Sequence, residues 1–119
     1  MSTRAQVRFA TREDGVSFSE HPKKINAQFY VHSDGYPEGL GLDIAKSIYL
    51  HSKSPKLEIE DLDTKHGDLE YIYYIWSDYD KDTWISIFET RPFEDQIGKC
   101  IFVGEPQKLI EKYYDKERD

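Results

Sequence analysis

The polar and apolar positions of this 119-residue chain change period several times. Over residues 3–10 they alternate, with Ala5, Val7 and Phe9 pointing one way and Arg4, Gln6 and Arg8 the other. A period of two marks a half-buried strand. Residues 26–32 repeat it, setting Ala27, Phe29 and Val31 opposite Gln28, Tyr30 and His32. Between these runs, Glu13-Asp14-Gly15 is a turn signal, because glycine takes a positive φ without steric cost. Residues 16–18 are expected to begin a strand that closes a hairpin, and His21-Pro22-Lys23-Lys24 reads as loop.

A helical period follows over residues 40–51. Gly41, Ile44, Ala45 and Ile48 make one stripe, widened by Leu40 and Tyr49, and Pro55 blocks any continuation. Residues 56–62 alternate again, with Leu57 and Ile59 expected inward and Glu58 and Glu60 outward. Residues 69–76 are the strongest strand, since aromatic and β-branched side chains suit a pleated surface. Both of their faces are partly apolar, which places them centrally in a sheet. An acidic turn over 77–82 leads to a strand over 83–90, and the two form a hairpin. After a polar connection over 91–98, a short strand spans 99–103. Gly104-Glu105-Pro106 then opens a second helix, where proline's missing N–H costs nothing. Leu109, Ile110 and Tyr113, with Tyr114 beside them, form its buried stripe.

These elements predict one α+β domain over residues 1–119: an antiparallel twisted sheet of about five to six strands with two helices packed on one face. The opposite face, rich in tyrosine and charge, is expected to meet water.

Composition narrows the setting. Lys and Arg number 16 against 23 Asp and Glu, for a net charge of −7. That balance argues against direct nucleic-acid binding, which works by neutralising phosphates, and against docking on an anionic membrane. It suits a partner with a basic face. No apolar run approaches the roughly 20 residues of a membrane span, and no hydrophobic signal core follows Met1-Ser2-Thr3-Arg4. The single cysteine, Cys100, excludes an internal disulfide and reads as a core thiol. A reducing cytoplasm is the expected setting, with no cofactor.

Three segments carry candidate chemistry. The first, residues 30–39, joins a strand to a helix start, a common place for sites because helix-end N–H groups attract anions. Within it His32 and Asp34 make a possible acid–base pair, though Asp-Gly and Tyr-Pro also simply shape a tight turn. The second holds His66, Asp68 and Glu70 at period two. His32 and His66 are the pair that would have to meet to ligate a metal, but no spacing here is diagnostic, and no metal is expected. The third, residues 78–89, matches a calcium loop at its first, third, fifth and twelfth positions. It lacks the glycine at the sixth, where Thr83 stands, and it lies between strands. An acidic hairpin tip accounts for it.

The runs Ser2-Thr3-Arg4-Ala5-x-Val7-x-Phe9, Tyr30-x-His32-x-Asp34-Gly35-Tyr36-Pro37-Glu38-Gly39 and His66-Gly67-Asp68-Leu69-Glu70-Tyr71-x-Tyr73 occur in that order. Together, over about the first two-thirds of the chain, they resemble a family of small uncharacterised proteins of bacteriophages and bacterial genomes. The resemblance implies an accessory gene of phages or mobile elements. Such genes often encode proteins that bind and redirect a host protein, including inhibitors of host defence of the anti-CRISPR kind.

Two expectations follow. The favoured one is non-enzymatic: stoichiometric binding of a host protein, such as a nucleic-acid-binding one, through the tyrosine-rich face and the acids Glu58, Glu60, Asp61, Asp78, Asp80 and Asp82. The alternative is a small hydrolase or ligand-binding domain built on His32, Asp34 and His66, with Tyr36 and Asp68 beside them and Arg4 or Arg8 as an anion partner. General acid–base work needs such groups within hydrogen-bond reach, so this alternative fails if His32 and His66 lie far apart. Nothing in the sequence demands self-association.

Overall fold

The computed structural model describes residues 3–11, 18, 22, 24–51, 53, 55–64, 66, 69–77, 83–91 and 96–118. In chain order these form β1 (Ala5–Thr11), β2 (Ala27–Val31), a π-helical turn (Pro37–Gly41) running into α1 (Leu42–Tyr49), β3 (Glu58–Glu60), β4 (Tyr71–Ser77), β5 (Thr83–Arg91), β6 (Gln96–Gly104) and α2 (Pro106–Arg118). The strands make one six-stranded sheet in the order β3-β2-β1-β4-β5-β6. The α+β class, the strand number and the two helices on one face are as expected. The hairpin turn at Glu13-Asp14-Gly15 and the strand start at Val16 lie outside the described residues, and Phe18 stands in a turn.

One pairing departs from the antiparallel expectation. β1 and β4 are parallel, Ala5 facing Tyr71 and Thr11 facing Ser77, while every other neighbouring pair is antiparallel. Each antiparallel pair joins strands consecutive in the chain. The parallel pair fuses two such meanders, and a contact made at that separation leaves no local turn signal. It also dictates a crossover. β3 points the same way as β4, so the chain must return across β2 and β1 before β4 can begin.

The helix-covered face is apolar. Val7, Tyr73, Ile85 and Ile87 are fully buried there, with Leu42 and Ala45 from α1 and Leu109 from α2 packed on them. Leu42 falls outside the expected stripe of α1, while Tyr49, expected to widen it, is 49% exposed. The π turn ahead of α1 adds a residue and shifts the phase of the helix that follows, which brings Leu42 inward beside Ala45; Tyr49 is the last residue of the helix.

The opposite face is not wet, as the sequence had implied. Ile72, Tyr74, Trp76 and Phe88 are buried in a second cluster, against Phe18, Ile25 and Trp84. Phe18 stacks on Trp84 with ring centroids 4.6 Å apart and meets Trp76 edge-on at 5.5 Å. Trp76 donates its indole N–H to the Ser86 hydroxyl at 2.9 Å, and Ser86 donates onward to the Phe18 carbonyl. The side chain of a buried tryptophan is thus satisfied at both its apolar and polar ends.

β3 is shorter than residues 56–62 suggested, and its faces are not as expected. Ile59 is 78% exposed, because it sits at the sheet margin beyond the reach of the helices. Glu60, expected outward, is nearly buried, with a side chain only 13% exposed.

Candidate site at the margin of the sheet

The segment from Asp34 to Gly39 is a fitted turn. Asp34 takes φ 57°, a left-handed conformation that Asp tolerates better than most residues. Gly35 donates its N–H to the Thr3 carbonyl at 2.9 Å, and a Cβ built on it would stand 2.8 Å from the Ala5 Cβ. The Gly35 carbonyl accepts a buried hydrogen bond of 2.6 Å from the Tyr73 hydroxyl. Leu40 closes the turn by donating to the Asp34 carbonyl at 3.1 Å. The Asp-Gly-Tyr-Pro run is therefore accounted for by the fold. Tyr36 is 38% exposed beside it. Glu38 occupies the first helical turn, where its charge suits the helix dipole and opposes an anion.

His32 leaves the end of β2 and meets Glu58 at the start of β3, Nε2 to Oε2 at 2.8 Å. The two side chains are 61% and 65% exposed, so the pair is screened by water and contributes little to stability. His32, Asp34, Asp43, Lys56 and Glu58 line a cleft of about 360 Å³ floored by Leu40.

His66 enters from beyond β3 and pairs with Glu60, Nε2 to Oε2 at 2.7 Å. Tyr30 joins the two histidines. His66 stacks on its ring at 4.0 Å, and His32 meets the same ring edge-on at 4.5 Å. The sequence-predicted pair thus comes together, but with an aromatic ring between the imidazoles and a separate carboxylate on each. Among the described residues no three His, Cys, Asp or Glu side chains are grouped to hold a metal ion.

Beneath His66 lies a polar network that sequence reasoning missed. Glu60 Oε1 accepts from the side-chain amides of Gln6 at 2.8 Å and Gln28 at 2.9 Å. Both glutamines are buried, at 0% and 1% exposure. The same amides reach the crossing chain: Gln28 donates to the carbonyls of Asp61 at 3.2 Å and Thr64 at 3.0 Å, and Gln6 to Thr64 at 3.2 Å. Arg8 donates to Gln6 Oε1 through Nε at 3.2 Å and Nη2 at 2.7 Å, and to the Tyr74 hydroxyl through Nη1 at 2.9 Å. Among the described residues no buried side-chain polar atom lacks a partner. The available signal was that β1 and β2 both place glutamine, which carries donor and acceptor without charge, on the face assigned to water.

The Arg8 guanidinium enters the network, while Arg4 is exposed and its carbonyl accepts the Glu70 N–H at 2.9 Å. Of the proposed partner-binding acids, Glu58 and Asp61 are exposed, and Glu60 is withdrawn into the network as a correction to its surface assignment. Asp68, Asp78, Asp80 and Asp82 lie outside the described residues. Cys100 is half-buried; burial pushes its thiol up, opposed in part by a backbone hydrogen bond of Phe102 and by the charge of Lys112. It is not an activated nucleophile.

No helix among the described residues is long and apolar enough to cross a membrane. Comparison with known protein families, with curated proteins and with solved structures finds no match to this chain.

Proposed function

We propose that this chain acts by stoichiometric binding to another protein through the margin of the sheet around β3. The observation that carries the reading is the exposure there of two aliphatic side chains amid acids. Ile59 is 78% and Leu62 52% exposed, and Glu58, Asp61 and Asp63 stand exposed around them. An apolar centre with a charged rim is the composition of a protein interface. Net charge of −7 selects a basic partner, which fits a host protein that handles nucleic acid and the accessory, defence-inhibiting role that the sequence resemblance implies. The tyrosine-rich face no longer supports this reading, since its rings are buried. The test is a nuclease-treated pull-down at low and moderate salt, followed by titration of the purified pair. Near one-to-one binding that falls with salt and is lost in Ile59→Lys is expected. A complex indifferent to both would sink this surface.

A second reading, a small-ligand or hydrolytic site, is favoured by one observation: His32 and His66 both contact Tyr30, each with its own carboxylate. A thermal-shift screen of metals and nucleotides against the wild type and His32→Ala tests it. A ligand whose stabilisation vanishes in the variant supports it, and no shift with any compound removes it.

A further inference from the structure

Among the described residues β3 ends the sheet and pairs on one side only, with β2, through Gln28↔Glu60, Phe29↔Ile59 and Tyr30↔Glu58. A terminal strand turns alternate N–H and C=O groups outward, where a further strand can bond to them. A strand of three residues would ordinarily fray. This one is anchored from within. Glu60 is fixed by the buried Gln6 and Gln28 amides and by His66, and the same amides hold the carbonyls of Asp61 and Thr64. Thr64 in turn donates its N–H to the Asp61 carbonyl at 3.0 Å. Buried polar groups are costly unless fully satisfied, and when satisfied they impose one geometry. Here the geometry imposed is that of the sheet edge itself, and an edge already ordered loses less entropy on binding.

The chemistry of the occupant follows from the side chains. Ile59 faces one side of the sheet and Glu58 the other, so an added strand meets an apolar residue on one side and an acid on the next position. Asp61 and Asp63 extend the acidic rim. A second copy of this chain would bring like charges into register, which is unfavourable. We infer that β3 is a docking edge for an extended segment of a partner protein that alternates basic and apolar residues and adds to the sheet as a further strand, with Gln6, Gln28 and His66 as the positioning residues that hold the edge ready. This rests on the binding reading above and specifies its mode.

The experiment titrates the isotope-labelled chain with a synthetic peptide of about seven alternating lysines and valines, a common strand length, and follows the backbone amides by NMR. Expected are shifts and slowed hydrogen exchange centred on residues 58–60. Affinity should fall about tenfold between low and moderate salt, as for a few screened rim charges. Glu58→Lys should weaken binding. Gln28→Leu should speed both peptide dissociation and exchange of the Thr64 N–H, while the exchange of β4 and β5 amides stays slow. Equal binding of a lysine–glycine peptide of the same charge would overturn strand addition, as would shifts mapped elsewhere or concentration-dependent pairing of the chain with itself. A native partner that still binds a folded Ile59→Pro variant overturns strand addition alone and leaves the binding reading standing. If neither a partner nor the peptide binds, both fall.

Discussion

The two faces of the sheet are built by different means. The helix-covered face is apolar and repetitive: Val7, Tyr73, Ile85 and Ile87 meet α1 and α2, and almost any well-packed set of hydrophobes would serve. Among the described residues the opposite face carries no helix. It is closed by irregular chain, by Phe18 and Ile25 at one end and by residues 61–64 and His66 at the other. Irregular chain brings its own unpaired carbonyls, and those must be bonded when buried. Hence Ser86 under Phe18, and Gln6 and Gln28 under Asp61 and Thr64. Where a helix covers a sheet, the sheet can be purely apolar. Where a crossover covers it, the sheet must supply donors.

The largest test of this contrast is Trp76→Ala. If the open face is a true core, the variant should lose about 3–5 kcal/mol in urea unfolding, as large as truncations under the helices. A loss below about 1 kcal/mol would mean that face contributes little to stability. Next comes Gln28→Leu, expected to cost about 1–3 kcal/mol because Glu60 and two carbonyls each lose a buried donor. A matched change on the helix side, Val7→Ala, removes only apolar contact and should leave no polar group stranded. If Gln28→Leu proves neutral, the network is not what holds the crossover.

A pH test separates the faces by their tyrosines. Burial raises Tyr73 well above the ordinary phenol value of 10.0, and raises Tyr74, where Arg8 partly opposes the shift. A folded-state pKa above the unfolded one contributes stability that is present in full below about pH 10 and is lost as pH rises toward the folded value. Stability should therefore decline above pH 10. Tyr73→Phe should be less stable at pH 7, since the Gly35 carbonyl loses its donor, yet should show a shallower alkaline decline. Midpoints measured from pH 8 to 11 check both, and an unchanged slope would exclude Tyr73 as the source.

The smallest expected effect is a control that involves neither face. His51 takes φ 55° just past the end of α1, a position glycine fills without strain. His51→Gly should stabilise by about 0.5–1 kcal/mol. A loss instead would mean that the imidazole makes a contact worth more than the backbone strain.

Periodicity alone placed β1, β2, β4, β5 and α2 to within a few residues, because each presents one dominant face to an apolar environment. It identified residues 69–76 as a central strand, and residues 33–39 as a turn entering a helix. Local pattern could also name His32 and His66, as residue types. It could not say that Tyr30 would stand between them, or that Glu60 rather than an aspartate would orient His66. Ile59 and Glu60 were assigned to the wrong environments for one reason. Alternation tells which side of a strand a residue occupies, but not whether anything covers that side. Coverage depends on the parallel junction of β1 with β4 and on the crossover it forces, contacts between residues more than sixty positions apart. Such contacts are chosen by the packing of the whole chain, and so the exposed edge and its buried anchor were decided only by the tertiary structure.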